Sequence, residues 1–168
     1  DPTGYEAVSW EGDTPAAYVL PMARLRTLMS TAAPSGSIEP DEQRWDAERV
    51  RRHDEERSAL GLAVHTVAAL RSGTGELVGY TELTVSPRTQ ALAMQGDTFV
   101  APEHRGHRLG WDLKVTNLAR ARLAHPLLSR VITTNAGENE GMRAINLRLG
   151  FREVGIDGNW QKIIGHQH

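Results

Sequence analysis

The stretch VAPEHRGHRLGWDLK, residues 100–114, sets two arginines, two histidines and two glycines in a polar turn between a strand-like end and a helix-like start. The first N–H groups of a helix lack intrahelical partners and carry about half a positive charge, so such a turn attracts phosphate. Gly106 and Gly110 let backbone approach a ligand closely, and Arg105 and Arg108 add positive charge. The chemistry this predicts is a pyrophosphate cradle. The two widespread cradle patterns are excluded, because no GxxxxGK[ST] occurs and no GxGxxG opens a βαβ unit near the N-terminus.

Other chemistry-bearing residues give weaker signals. His104 and His107 stand at i,i+3, a metal-ligand spacing, but no third ligand accompanies them and no metal is expected; His107 fits a phosphate-binding role better. His65 lies in an apolar run and reads as a structural histidine, and the terminal HQH reads as a tail. Without cysteine the chain has no disulfide, no thiolate nucleophile and no zinc-thiolate site.

The elements that must position these residues follow from periodicity and punctuation. GYEAVSW reads as a first strand, closed by the turn-rich EGDTP. Met22, Leu25, Leu28 and Met29 recur at helical spacing from Pro21. TAAPSGSIEP reads as a loop, and DEQRWDAERVRRHDEERSALG as a charged, solvated helix laced with i,i+4 pairs and capped at Gly61. AVHTVAALRS and ELVGYTELTV form a hairpin about GTG, and QGDTFV is a strand leading into the arginine turn. A helix to about Leu123 follows, then a strand RVITTNA, a helix NEGMRAINLRL closed by Gly150, and a last strand from Phe151 resuming through NWQKII. The order predicts a mixed α/β domain.

Two of these segments carry a family resemblance. The run V-x-P-E-H-R-G-H-R-L-G resembles motif A of the GNAT N-acetyltransferase superfamily, [QR]-x-x-G-x-[GA], with Arg105 in the first place, Gly110 in the last and Arg108 where the middle glycine is usual. The EHRGHRLG variant is similar to one common in actinobacterial members, often in proteins with two such domains in tandem. NAGENEGMRAINLRLGFREVG resembles the family's N-x-x-A-x-x-x-Y-x-x-x-G-F region, with Asn139, Gly150 and Phe151 in register, Met142 at the alanine and Asn146 at the tyrosine. The matches cover residues 76–155 well and the first 70 weakly.

The resemblance implies a mostly antiparallel, twisted sheet of six or seven strands, splayed at an acyl-CoA site and flanked by about four helices. It implies acetyl-CoA as donor and an amine as acceptor, without a metal. On this reading the cradle comprises His104, Arg105, Gly106, His107, Arg108, Leu109 and Gly110. The strand end Phe99, Val100 and Ala101 pairs with the pantetheine arm as an added strand would, and Asn135, Asn139 and Asn146 complete the donor site. The main-chain N–H groups of the loop, or that of Val100, can polarise the thioester carbonyl, an effect worth ~3 to 4 kcal/mol per donor in acyl transfer. The acceptor ammonium must lose a proton, and Glu82 is the first candidate for base, with Asp97 second. The usual acid is the tyrosine that Asn146 replaces, so solvent or another residue must protonate the leaving thiolate. The two departures from the motifs keep open a second class, a domain that binds acyl-CoA for regulation or interaction without catalysis.

Composition bounds the rest. The 168 residues suit one domain, 1–168, and the missing initial Met suggests a piece of a longer, tandem-domain protein. A net charge of −2 gives no general pull towards nucleic acid or anionic membrane, and no basic stripe with interleaved aromatics appears. Almost all basic residues are arginine; Lys114 and Lys162 are the only lysines. No apolar run approaches the ~20 residues of a membrane span and no signal-peptide pattern opens the chain, so a cytoplasmic protein is expected, as a homodimer or beside a second similar domain.

Overall fold

The computed structural model describes residues 4–32, 43–135 and 139–156. Strand β1 (Tyr5–Glu11) is followed by helices α1 (Val19–Ala32) and α2 (Ala47–Ala59). Strands β2 (Ala63–Arg71), β3 (Glu76–Val85) and β4 (Leu92–Val100) come next, then helix α3 (Leu109–Ala124), strand β5 (Arg130–Thr133) and helix α4 (Glu140–Arg148). The sheet runs in sequence order, antiparallel from β1 to β4 and parallel between β4 and β5.

Local chemistry accounts for the boundaries. Pro21 falls in the first turn of α1, where its missing N–H costs nothing. The Asp46 side chain accepts from the Arg49 N–H at 2.8 Å to start α2, and Gly61 leaves it with φ of 67°. Gly73 and Gly75 take the positive φ values that the β2–β3 turn needs.

Each face of the sheet is covered. On one, Met22 and Leu25 of α1 pack on Ala68, Leu77, Tyr80 and Phe99. On the other, Leu109 and Leu113 of α3 pack on Val67, Ala69 and Val78. Further along α3, Leu118 and Ala121 pack on Leu83, Ala93 and Val131. Helix α3 therefore runs back chiefly beneath β2 and β3, with its start near Val100 and its end near Ala93 on the β4 side.

The described residues form five strands, short of the six or seven expected. Phe151 to Ile156 carry no regular structure, and Val154 and Ile156 are almost fully exposed. An alternating apolar pattern makes a strand only where an edge receives its hydrogen bonds, and these residues have no such partner among the described residues. NWQKII lies outside the described residues. The four helices stand as expected.

Candidate active site at the β4–β5 fork

Pairing between β4 and β5 ends at Gln95↔Thr133. Directly beyond it β4 is bulged: Thr81 faces Thr98 and Leu83 faces Gln95, so Gly96 and Asp97 together oppose Glu82. A bulge bends the strand that carries it, and since β5 ends at Thr133 while β4 runs on to Val100, a fork is left along the β5-side edge of β4. The Gln95 side chain closes the ladder's gap, with Nε2 donating to the Glu82 carbonyl at 2.6 Å and to Thr81 Oγ1 at 3.0 Å. Past the bulge, Ala101 N–H donates to the Val78 carbonyl at 2.9 Å. Alternation in an antiparallel ladder then turns the main-chain groups of Val100 and Thr98 to the opposite edge, into the fork. Phe99 and Ala101 have buried side chains, and by the same alternation their main-chain groups turn towards β3.

At the fork's outer end lies the arginine turn. The N–H groups of Gly106, His107, Arg108, Leu109 and Gly110 have no hydrogen-bond partner among the described residues, which leaves five successive donors free around the start of α3. Gly106 has φ of 84°, and Arg108 has φ of 63° and ψ of 8°. The place where the motif usually has glycine thus keeps glycine's left-handed backbone while bearing a guanidinium. Arg105 folds back, its Nε donating to the Val100 carbonyl at 3.1 Å. Gly110 allows α4 to pack closely, since a Cβ there would stand 3.3 Å from Ile145 Cδ1.

His104 departs from its expected role in the cradle. It is buried, with Nδ1 3.0 Å from the Tyr5 hydroxyl, and pins the loop to β1. His107 stays exposed, its ring 5.3 Å from that of Tyr5. Asn139 caps α4 by accepting from the Met142 N–H at 3.1 Å, while Asn135 is exposed after β5.

The two carboxylates lie on the α1/α2 face of the sheet in different surroundings. Glu82 Oε1 accepts from Arg26 Nη2 at 2.8 Å and from Arg57 Nη1 at 3.1 Å, and all three side chains are largely buried. Arg57 also pairs with Asp54 at 2.7 Å, and Asp54 holds the Thr14 N–H. Glu82 thus ties both helices to β3. The first candidate for base is therefore held in place by two guanidinium groups. Asp97 accepts from the Tyr80 hydroxyl at 3.3 Å, with Arg26 4.0 Å away, and its side chain is 41% exposed. Burial holds the Asp97 carboxyl above the ordinary aspartate range, and the charge of Glu82 adds to the rise.

On the opposite face, Asn146 of α4 accepts from Lys114 Nζ of α3 at 2.6 Å, both side chains buried. Sequence reasoning passed over Lys114, Arg26 and Arg57, and α2 is less solvated than its charge suggested, since Asp54 is buried and Arg57 turns inward to Glu82. The one available signal was that the chain has just two lysines.

Similarity to known proteins agrees with this geometry. A tandem GNAT protein from the clavulanic acid biosynthesis pathway shares 32% identity over 89% of this chain, with a TM-score of 0.74. The chain belongs to the GNAT superfamily. It spans 42% of that tandem protein's length. A GNAT phosphinothricin acetyltransferase from Sinorhizobium meliloti, solved with acetyl-CoA, has the same fold at 19% identity and a TM-score of 0.65, covering 88% of this chain and 76% of that one. An aminoglycoside acetyltransferase, AAC(6')-Iy, solved with a CoA-linked bisubstrate analogue, matches 95% of this chain and 99% of its own at 12% identity and a TM-score of 0.64. No protein-family model matches the sequence, and no curated protein matches it.

Proposed function

We propose that the chain is an acyl-CoA-dependent N-acetyltransferase domain that moves an acetyl group from acetyl-CoA directly to a primary amine of a small molecule or peptide. The observation that carries this is the fork itself. It opens just past Gln95↔Thr133, has Asp97 on one face, and leads outward to a turn of unpaired amides. The amides of 106–110, with Arg105 and Arg108, receive the pyrophosphate. The pantetheine arm lies along the Thr98 and Val100 edge as an added strand, and Arg105 leaves the Val100 carbonyl to admit it. The Val100 N–H polarises the thioester carbonyl. The amine arrives from the α1/α2 face, where Asp97 takes its proton, because Glu82 is held by Arg26 and Arg57.

The similarity to a tandem protein supports reading the chain as one GNAT domain of two, with the cytoplasm, where acetyl-CoA is made, as its compartment. Among the described residues no helix is long and apolar enough to cross a membrane. A second reading, acyl-CoA binding without transfer, is favoured by Asn146 at the tyrosine position. Thiol release from acetyl-CoA across a panel of primary amines separates the two. Amine-dependent release supports transfer, whereas tight acetyl-CoA binding with no release on any amine supports the binding domain. Changing Arg105 and Arg108 together to Ala is expected to weaken coenzyme A at least about tenfold in calorimetry, the scale of one or two lost charge-assisted bonds; an unchanged affinity overturns the placement.

A further inference from the structure

Helix α3 carries a buried cation with no counter-charge among the described residues. Lys114 is 3% exposed, and its ammonium has one hydrogen-bond partner among the described residues, the Asn146 amide oxygen, with the Phe151 ring 5.9 Å away. No carboxylate among the described residues pairs with it. The other end of the same amide, Asn146 Nδ2, is buried without any partner. An ammonium offers three N–H donors, so donors outnumber acceptors in this seam. Groups so placed are expensive to bury unless something anionic or acceptor-rich joins them.

Their position in the fold says what that would be. Leu118 packs with Ala93 and Val131, beneath the paired part of β4 and β5. Nearer the start of α3, Asn117 Nδ2 donates to the Thr81 carbonyl at 3.3 Å, opposite Thr98, and Leu113 packs with Val78 and Val100. Lys114 lies between these two residues, level with the Thr98–Val100 part of β4, past the last rung Gln95↔Thr133. Asp97 lies just past the same rung on the opposite face of the sheet. The open edge of β4 past that rung thus has a carboxylate on one side of the sheet and an ammonium on the other.

We propose that Lys114, oriented by Asn146, is the group that protonates the leaving thiolate. The inference rests on the proposed acetyl-CoA chemistry. The amine nitrogen bonds to the thioester carbonyl carbon and gives its proton to Asp97. When the tetrahedral intermediate collapses, the C–S electron pair goes to sulfur. One Nζ proton then passes to sulfur, leaving neutral Lys114, which solvent reprotonates as coenzyme A departs. Burial lowers the Lys114 ammonium to about 8, close to an ordinary thiol, so the transfer is nearly balanced. A solvated lysine, about two units higher, would be a poorer donor.

The test uses coenzyme A itself and needs no acceptor. The thiol of bound coenzyme A is titrated through the ultraviolet absorbance of its thiolate, in the wild type and in Lys114→Met and Lys114→Arg. In the wild type the bound thiol is expected to ionise about one unit or more below free coenzyme A; Lys114→Arg keeps that shift, and Lys114→Met removes it while coenzyme A still binds. A wild-type thiol that ionises at or above the free value overturns the proposal, even if Lys114→Met fails to fold. So does the same shift in wild type and Lys114→Met. If coenzyme A does not bind the wild type at all, the proposed function fails first and is recognised by that. With any accepted amine, the basic limb of the kcat profile near pH 8 should vanish in Lys114→Arg, whose guanidinium does not titrate there, and a limb that persists unchanged counts against Lys114.

Discussion

Arg108 takes a left-handed backbone conformation that a side chain with a Cβ pays for, by about 1 to 2 kcal/mol. The cost is borne where the guanidinium can help hold a pyrophosphate, so Arg108→Gly should separate the two effects. We expect the variant to gain about 1 kcal/mol in urea unfolding while its coenzyme A affinity falls, and a variant losing both stability and affinity would show that Arg108 packs the loop instead. The two carboxylates make a second contrast. Asp97→Asn should lower kcat by about 10² with little change in melting temperature, the usual scale for a lost general base. Its rise above the ordinary aspartate range puts the acid limb of the wild-type rate profile above pH 3.8, and that limb should disappear with the carboxylate. Glu82→Gln should instead cost about 3 to 5 kcal/mol of stability, because it leaves Arg26 and Arg57 buried beside a neutral amide. Full stability in Glu82→Gln together with a lost kcat would return the base to Glu82. The sequence could not rank these two acids. Glu82 looks free in GYTELTV because its partners lie 56 and 25 residues away. Lys114 was hidden for the converse reason, since a lysine in a helix of mixed character reads as solvent-facing.

At the scale of elements, the strands and helices were legible because each has its own period and its own punctuation. Pro21, Gly61, Asn139 and Gly150 mark ends that the structure keeps, whereas α2 starts at its Asp46 cap, later than the charged segment suggested. The bulge was not legible, since it depends on which β3 residue meets which β4 residue, and QGDTFV gives no hint that Gly96 and Asp97 share one partner. Yet the bulge lies directly past the last β4–β5 rung, where the bend it gives β4 shapes the fork. Deleting Gly96 leaves both flanking registers possible, with Thr98 on Thr81 and Gln95 on Leu83, and makes the ladder regular between them. A regular β4 would continue straight past Gln95↔Thr133 and close the gap against β5. The deletion is therefore expected to fold with an unchanged or higher melting temperature and to lose coenzyme A binding in calorimetry; normal binding would show that the fork does not depend on the bulge.

For the molecule as a whole, the buried ionisable groups dictate a pH dependence of stability that net charge would not suggest. His53 and His65 are both held below the ordinary histidine value of 6.5, chiefly by burial; Arg57 and Arg26 add to this at His53, and His125 and Arg120 add to it at His65, against the opposing pull of Glu11. As pH falls below 6.5 the unfolded chain takes protons that the folded chain refuses, so stability declines on the acid side. Asp97 acts the other way, since its raised folded value adds stability at still lower pH. On the alkaline side Lys114 dominates. Its folded value of about 8 lies below the ordinary 10.5, so between these values the unfolded chain binds the proton and the folded chain does not. Stability must then rise with pH, by about 1.4 kcal/mol per unit for one proton, or about 2 to 3 kcal/mol from pH 8 to 10. Above pH 10 the trend reverses, because buried Tyr80 keeps its proton while the unfolded tyrosine loses it. Urea unfolding of the wild type and of Lys114→Met at half-unit intervals from pH 7 to 10 checks the assignment. The variant should be more stable than the wild type at pH 7 by up to about 3 kcal/mol, and the difference should shrink steadily towards pH 10. A difference that does not change with pH would mean that the Lys114 ammonium is not held down by burial, and the buried cation at the fork would lose its chemical role with it.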